Sequence, residues 1–169
     1  MKQTDNFKFD EANVMNELVY RNLSEDAKRQ ICAWKYGGEY DLYNLPSYEE
    51  MQVRQIGFMN PQRKKNYYGF WDESILVGFV NILEEKEEVF IGIGVNLDLC
   101  NKHYGQRMLL ITYEISKKLY PDKPLYLEVR TWNIRAVKCY QKAGFRIDGQ
   151  AYELTTGIGT GTFYRMIRE

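Results

Sequence analysis

The chain has 169 residues, of which 44% are hydrophobic and 27% are charged, as in an ordinary water-soluble globular protein. Lysine plus arginine and aspartate plus glutamate both number 23, and a formal net charge of zero gives no indication of a basic nucleic-acid surface. No apolar run approaches the ~20 residues of a membrane span, and the polar start lacks the apolar core of a secretory signal, so we expect a cytoplasmic protein without nucleic-acid or membrane partners.

The length is typical of one domain, and we expect residues 1–169 to form it, with residues 1–14 as a polar N-terminal arm that is either weakly structured or ordered. Cys32, Cys100 and Cys139 are widely spaced and form no CxxC pair, and His103 is the single histidine. We therefore expect neither a metal site nor a disulfide framework.

Capping and turn residues divide the first half of the chain into short elements. Leu18–Asn22 is predicted to be a strand, and Ser24 is suited to cap a helix over about Glu25–Trp34. An aromatic loop follows, and then Ser47 with Glu50 fits a capping box for a second helix that runs to about Gly57. Three strands of an antiparallel meander come next, with turns at Asp72–Ser74 and Glu84–Glu87, and their predicted bounds are Asn66–Trp71, Ile75–Leu83 and Glu88–Asn96.

The second half alternates helices and strands. Helical spacing predicts a helix over about Gly105–Tyr120, whose core-facing positions would be Met108, Ile111, Ile115 and Leu119. A buried strand (Leu125–Arg130), a short helix (Asn133–Ala143) ended by Gly144, and two closing strands (Phe145–Tyr152 and Thr162–Ile167) complete the order. A glycine-rich loop, TTGIGTG, is expected between the closing strands.

Five residues after the buried strand follow the pattern N-x-x-A-x-x-x-Y-x-x-x-G-F, and they are Asn133, Ala136, Tyr140, Gly144 and Phe145. This segment, Leu127–Phe145, resembles motif B of the GNAT acetyltransferases. Asn133 begins the helix, where its amide can bond a ligand or cap the backbone, and Tyr140 lies two turns later on the same face.

The preceding segment, Ile91–Leu110, is similar to motif A of the same superfamily, in which a strand leads into a loop Q/R-x-x-G-x-G/A and a long helix. Cys100 stands at the Q/R position, His103 at the first glycine and Gly105 at the last position, so two of the three signature residues differ. The N-terminus of such a helix is suited to bind a pyrophosphate. His103 carries a Cβ atom where close approach of the backbone to a ligand would favour glycine, but histidine enters left-handed conformations more readily than most residues, so the loop can still form.

The resemblance implies an α/β GNAT fold, with a mixed, mostly antiparallel sheet flanked by helices and a splayed parallel strand pair at its centre. It implies acetyl-CoA as the cofactor, bound by the main chain of Ile93–Val95 (Ile93, Gly94 and Val95) and by Asn133. It also implies that Tyr140 acts as general acid toward the leaving thiolate. Further cofactor-binding residues implied by the resemblance are Cys100, Asn101, Lys102, His103, Tyr104, Gly105 and Gln106.

An acceptor amine must be neutral to attack, so a general base would help a lysine-like substrate. Glu87 and Glu88 begin the central strand, and we consider Glu88 as a catalytic base, the alternative being a solvated turn carboxylate. We expect the acceptor pocket to be built by residues 25–50 and the glycine-rich loop. Trp34, Tyr36 and Tyr40, with Tyr43 and the acids Glu39 and Asp41 nearby, either bind a cationic amine or pack the loop onto the core.

The function implied by these motifs is an N-acetyltransferase that transfers an acetyl group from acetyl-CoA to a primary amine of a small molecule or peptide by direct attack. Two alternatives remain open at this point. One is a protein N-terminal acetyltransferase like those of ribosomal proteins, and the other is a non-catalytic acyl-CoA sensor with an altered Cys100/His103 loop. Either a monomer or a homodimer is compatible with the sequence.

Overall fold

A computed structural model describes residues 18–169, and the predicted N-terminal arm, residues 1–14, lies outside them. One sheet contains all the strands, which are β1 (Leu18–Asn22), β2 (Tyr67–Asp72), β3 (Ile75–Glu84), β4 (Val89–Val95), β5 (Leu125–Arg130), β6 (Arg146–Ile147), β7 (Tyr152–Thr156) and β8 (Gly159–Arg168). The α-helices are α1 (Glu25–Ala33), α2 (Tyr48–Arg54), α3 (Tyr104–Leu119) and α4 (Ile134–Lys142). None of these helices has the length and apolarity of a membrane span.

The strand order is β1-β2-β3-β4-β5-β8-β6, and β7 pairs with β8. Every neighbouring pair is antiparallel except β4 and β5, which are parallel and pair at two positions, Val89 with Leu125 and Phe90 with Tyr126. Beyond these positions the two strands separate. The mixed sheet with a splayed parallel pair at its centre is the predicted fold.

Helices cover both faces of the sheet. Val80 belongs to a core cluster with α3 and α4, whereas Phe79 packs with residues of α1 and α2 in a second cluster. Because consecutive strand residues point to opposite faces, the two clusters lie on opposite sides of β3. The two helix pairs thus lie on opposite faces of the sheet.

Local cap residues explain where the helices begin. The side chains of Ser24, Ser47 and Asn133 accept hydrogen bonds from the backbone N–H groups of Ala27, Glu50 and Ala136 and so cap α1, α2 and α4. These caps were readable from the sequence, and the predicted strand Leu125–Arg130 has the observed bounds.

Four sequence-based expectations are wrong. Leu119 is 51% exposed, because the core face of α3 shifts to Leu109, Thr112 and Ser116. The second helix ends at Arg54, since Gln55 takes a left-handed φ of 50°. The expected strand over residues 145–152 is reduced to the two residues of β6, and strand pairing resumes in β7.

The fourth correction concerns the glycine-rich segment, which was expected to be a loop. Thr156 pairs with Gly159, so the segment is the tight end of the β7–β8 hairpin. Gly159 has a φ of 105°, a conformation that residues with a side chain rarely adopt. The turn is therefore a β-hairpin end rather than an irregular loop.

Candidate active site

A cavity of about 820 Å³ lies at the separation of β4 and β5. This volume is in the range of small-molecule sites. Its walls come from the aromatic segment after α1, from β4 and β5, from the first turn of α3, from α4, and from the β7–β8 turn.

The backbone of β4 presents free donors to this cavity. The N–H of Asn96 donates to the carbonyl of Val77 at 2.9 Å, and the antiparallel alternation then directs the backbone groups of Gly94 toward β3. Ile93 and Val95 consequently face the gap toward β5, past the last paired residues. The Val95 carbonyl accepts a hydrogen bond from the Tyr36 hydroxyl at 2.5 Å, whereas the N–H groups of Ile93 and Val95 face the gap beyond the two positions at which β5 pairs with β4.

The loop before α3 contains two residues in the left-handed backbone conformation. Asn101 and His103 have φ values of 64° and 62°, and His103 precedes α3 without capping it through its side chain. The backbone N–H groups of Tyr104, Gly105 and Gln106 find no acceptor within residues 18–169. These three donors and the positive end of the α3 dipole can bind a pyrophosphate.

Gly105 lies where helix packing is close. A Cβ atom at this position would lie 3.0 Å from the Sγ atom of Cys139 on α4 and 3.6 Å from a methyl group of Val95. The absence of a side chain lets α3 and α4 approach each other beside the unpaired N–H groups. Gln106 adds a second link, because its amide donates to the Lys142 carbonyl at 3.3 Å.

Three cationic side chains of α4 line the same cavity, Arg135, Lys138 and Lys142. Their spacing of three and four residues sets them along one side of the helix. Together with the free N–H groups of α3 they make this end of the cavity electropositive. The donor set fits the phosphates of coenzyme A.

Asn133 and Tyr140 both line the cavity, as their spacing predicted. Asn133 is buried, caps α4 through its Oδ1 atom and donates from Nδ2 to the Tyr43 hydroxyl at 3.3 Å. The Tyr140 hydroxyl makes no hydrogen bond to another residue of the described chain. Burial, and then the neighbouring Cys139 and Tyr43, raise the pKa of Tyr140 above the ordinary phenol value, so the hydroxyl keeps its proton at neutral pH.

One acidic side chain, Glu128 on β5, lines the cavity among residues 18–169. Its Oε1 atom accepts a hydrogen bond from the Tyr152 hydroxyl at 2.8 Å. Burial and this hydrogen bond raise the pKa of Tyr152 to about 12, so Tyr152 remains a donor at neutral pH. No lysine or arginine of the described chain lies within 4.0 Å of the Glu128 carboxylate, so Glu128 is available to a bound cation.

Glu88, the predicted base, is placed elsewhere. Its carboxylate forms a two-pronged ion pair with Arg165 on β8, which also bonds Asp148 at 3.2 Å. Glu88 does not line the cavity, and the same is true of Lys102, the predicted phosphate contact. The pairing makes Glu88 part of a structural ion network and argues against its role as a base.

The predicted acceptor aromatics Trp34, Tyr36 and Tyr40 line the cavity, but each also contacts another residue of the protein, Tyr36 through its hydrogen bond to Val95. Trp34 lies against the Phe79 ring, with centroids 6.4 Å apart. The Arg135 guanidinium lies 4.3 Å from the centroid of the Tyr40 ring and occupies one ring face. The acids Glu39 and Asp41 do not line the cavity, so the structure favours loop packing for much of this cluster.

Two charged cavity residues of β5, Glu128 and Arg130, were not among the site residues predicted from the sequence. A signal was present in LYLEVR, because the alternation of residues in a strand separates its buried Leu125, Leu127 and Val129 from the polar side chains of the other face. A prediction of a buried strand does not distinguish this polar face. Because β4 and β5 have separated at this point, the polar face of β5 brings the charged side chains of Glu128 and Arg130 to the cavity.

Comparisons with known proteins agree with this geometry. The model of the acetyltransferase (GNAT) family matches residues 28–145, and the chain belongs to this family, which uses acetyl-CoA as acyl donor. No curated protein matches the sequence significantly.

Several solved structures share the fold. A spermidine N-acetyltransferase from Vibrio cholerae, in complex with CoA and spermine, has a TM-score of 0.71 at 17% identity over 90% of this chain and 95% of that chain. A GNAT acetyltransferase from Bacillus anthracis gives 0.69 at 15% identity over 90% of this chain and 94% of that one. Another from Streptococcus pneumoniae gives 0.65 at 23% identity, with coverages of 90% and 98%.

Proposed function

We propose that this chain transfers the acetyl group of acetyl-CoA to a primary amine of a small molecule or peptide by direct attack of the amine. The observation that carries the proposal is that a carboxylate, Glu128, and a protonated phenol, Tyr140, line one cavity with the free N–H groups of β4. A proton acceptor for the amine and a proton donor for the thiolate are the two groups that amide formation from a thioester needs.

Acetyl-CoA, when bound, supplies the acetyl group as a thioester. The N–H groups of Tyr104, Gly105 and Gln106 and the cations of α4 bind its phosphates, and the edge of β4 holds the pantetheine arm. An N–H of Ile93 or Val95 can donate to the thioester carbonyl oxygen and polarise it.

Glu128 takes the proton from the ammonium group of the bound acceptor. A lysine-like amine has a pKa near 10.4, so its neutral form costs roughly 4–5 kcal/mol at pH 7, and a nearby carboxylate lowers this barrier. The amine nitrogen then forms the new C–N bond as the C–S bond breaks. Tyr140 donates its hydroxyl proton to the departing sulfur, and the second proton that the nitrogen loses restores the Tyr140 hydroxyl, while Glu128 releases the first proton to solvent.

Direct attack is favoured over an acyl-cysteine route. Cys139 lines the cavity, but burial raises the pKa of its thiol. A thiol with a raised pKa supplies little thiolate, which is the nucleophilic form. Acetyl transfer through Cys139 is therefore not part of the proposal.

The test is an acceptor screen with acetyl-CoA, read by free-thiol release and by mass spectrometry of the product. The panel holds monoamines, polyamines, amino acids and peptides with free N-termini. Polyamines are included because a structural neighbour is a spermidine acetyltransferase. The cavity itself does not favour a polycation, because Glu128 is its single carboxylate among residues 18–169 and several cationic side chains line it. Acetylation of a panel amine is expected.

Acetyl-CoA should also raise the melting temperature, since a ligand at 100 times its Kd stabilises the native state by roughly 2.7 kcal/mol. Binding without turnover of any amine would contradict the proposal and favour a sensor. Preference for peptide N-termini over every small amine would favour the protein N-terminal alternative.

A further inference from the structure

We infer that the preferred acceptor carries a carboxylate or phosphate group in addition to its amine, and that Arg130 binds this anionic group. The inference deepens the proposed function and rests on it. It names the chemical class of the acceptor, which the family does not specify.

Arg130 is a buried charge at the wall of the cavity. The residue is 8% exposed, at the end of β5 where the strand has separated from β4. No carboxylate among residues 18–169 lies within 4.0 Å of its guanidinium. A buried charge without a counter-ion is costly, so proteins normally pair it with an acid or a ligand.

The bonds that Arg130 makes leave donors unused. Its Nη1 and Nη2 atoms donate to the carbonyls of Thr160 and Gly159 at 3.4 and 3.3 Å, both long for such bonds. Nε is buried without a partner. A guanidinium has five N–H donors, so besides the buried Nε–H one N–H remains on each of Nη1 and Nη2, and these two are enough for a bidentate contact with an oxyanion.

The surroundings hold the guanidinium in a fixed place. Its carbon lies 5.0 Å from the centroid of the Phe163 ring, and the absence of a side chain at Gly161 leaves the space that Nη1 occupies. The β7–β8 hairpin thus holds the Arg130 side chain in place at the cavity wall. A pre-organised arginine loses little side-chain freedom when it binds an anion.

Glu128 and Arg130 together define a site for a molecule with two charges. They are two residues apart on the same face of β5, a separation of about 7 Å along the strand. The carboxylate of Glu128 is suited to an ammonium group, and the guanidinium of Arg130 to an oxyanion. A short amino acid or an amine that bears a phosphate matches this pair better than a polyamine does.

The experiment compares acceptors that differ in the anionic group and have amines of similar pKa. The ω-amino acids of three to six carbons are paired with n-alkylamines of the same length, and the ω-aminoalkylphosphonates form a second arm. We expect kcat/KM to be about 10- to 100-fold higher for one anionic series, the factor that a charge-assisted hydrogen bond supplies. The better series identifies carboxylate or phosphate as the source of the anion.

Arg130→Gln should remove this preference by raising KM for the anionic acceptors about 10- to 100-fold while alkylamines change less than about threefold. Arg130→Lys should recover part of it, because lysine keeps the charge without the planar fork. Arg168→Gln is the matched control. Like Arg130, Arg168 donates a hydrogen bond to a backbone carbonyl (Ala143, 2.7 Å) and lies over an aromatic ring (Tyr113). Unlike Arg130, it does not line the cavity.

Equal kcat/KM for the members of each pair in the wild type would overturn the inference while leaving the proposed function intact. A preference that survives in folded Arg130→Gln would overturn it as well. If Arg130→Gln does not fold, the wild-type pairs and Arg130→Lys still decide. If no amine is acetylated, the proposed function fails. The anion site is then tested separately by the melting shift that 5-aminopentanoate gives in the presence of CoA, compared with the shift that pentylamine gives. Equal shifts for the two ligands in the wild type would refute the anion site.

Discussion

Glu128→Gln tests the assignment of the base. The change removes the charge and the proton-accepting capacity of the side chain but keeps its shape, and the amide oxygen can still accept the 2.8 Å hydrogen bond from Tyr152. The fold should therefore be preserved. For a lysine-like amine we expect kcat/KM to fall by about 10²-fold or more, the usual range for a positioned base.

The size of this loss follows from the chemistry of the site. A hundredfold loss corresponds to about 2.7 kcal/mol, which is part of the roughly 4–5 kcal/mol needed to form a neutral lysine-like amine at pH 7. In the variant the amine must lose its proton to solvent. Below the amine pKa, the fraction of neutral amine rises about tenfold for each unit by which the pH increases. The deficit of Glu128→Gln should therefore shrink as the pH rises toward 10.

The assay is steady-state thiol release with the best acceptor of the screen, from pH 6.5 to 9.5, beside melting curves. Glu85→Gln is a close control, because Glu85 also accepts a tyrosine hydroxyl, that of Tyr126 at 3.1 Å, but lies outside the cavity. It should keep kcat/KM within about threefold, as expected for an exposed site remote from the chemistry. Turnover within threefold of wild type in Glu128→Gln would refute the assignment, and a hundredfold loss in Glu88→Gln instead would restore the base that the sequence suggested.

Two further predictions concern the cofactor side of the cavity. Tyr140→Phe should lower kcat by roughly 10²-fold with a much smaller change in CoA affinity, because the lost proton donor acts in the transition state; unchanged kcat would reduce Tyr140 to a wall residue. Since burial raises the pKa of Tyr140, its protonated, active form persists beyond the ordinary phenol value near 10, so an alkaline loss of kcat below pH 10 that disappears in Tyr140→Phe would contradict this role. Gly105→Val should weaken CoA binding in calorimetry and lower stability by about 1–3 kcal/mol, because the new side chain meets the Cys139 sulfur of α4. Normal CoA binding by Gly105→Val would place the pyrophosphate elsewhere. His103→Gly should keep or improve CoA affinity, since glycine adopts the φ of 62° without strain.

Local signals in the sequence determined much of the architecture. Strand alternation, caps at Ser24, Ser47 and Asn133, and the spacing from Asn133 to Phe145 depend on residues near each other in the chain, so they can be read without the fold. They also brought Asn133 and Tyr140 to one face of α4, and both line the cavity.

Charge partners were decided by the tertiary structure alone. Glu88 and Glu128 are both strand glutamates, and the sequence offered the first as a base. Only the pairing of β5 with β8 brings Arg165 to Glu88, and only the separation of β4 from β5 opens the cavity beside Glu128 and Arg130. Whether a carboxylate or guanidinium has an ion-pair partner depends on residues up to 77 positions away in the chain, which strand register brings together. Local sequence patterns carry no information about such long-range neighbours.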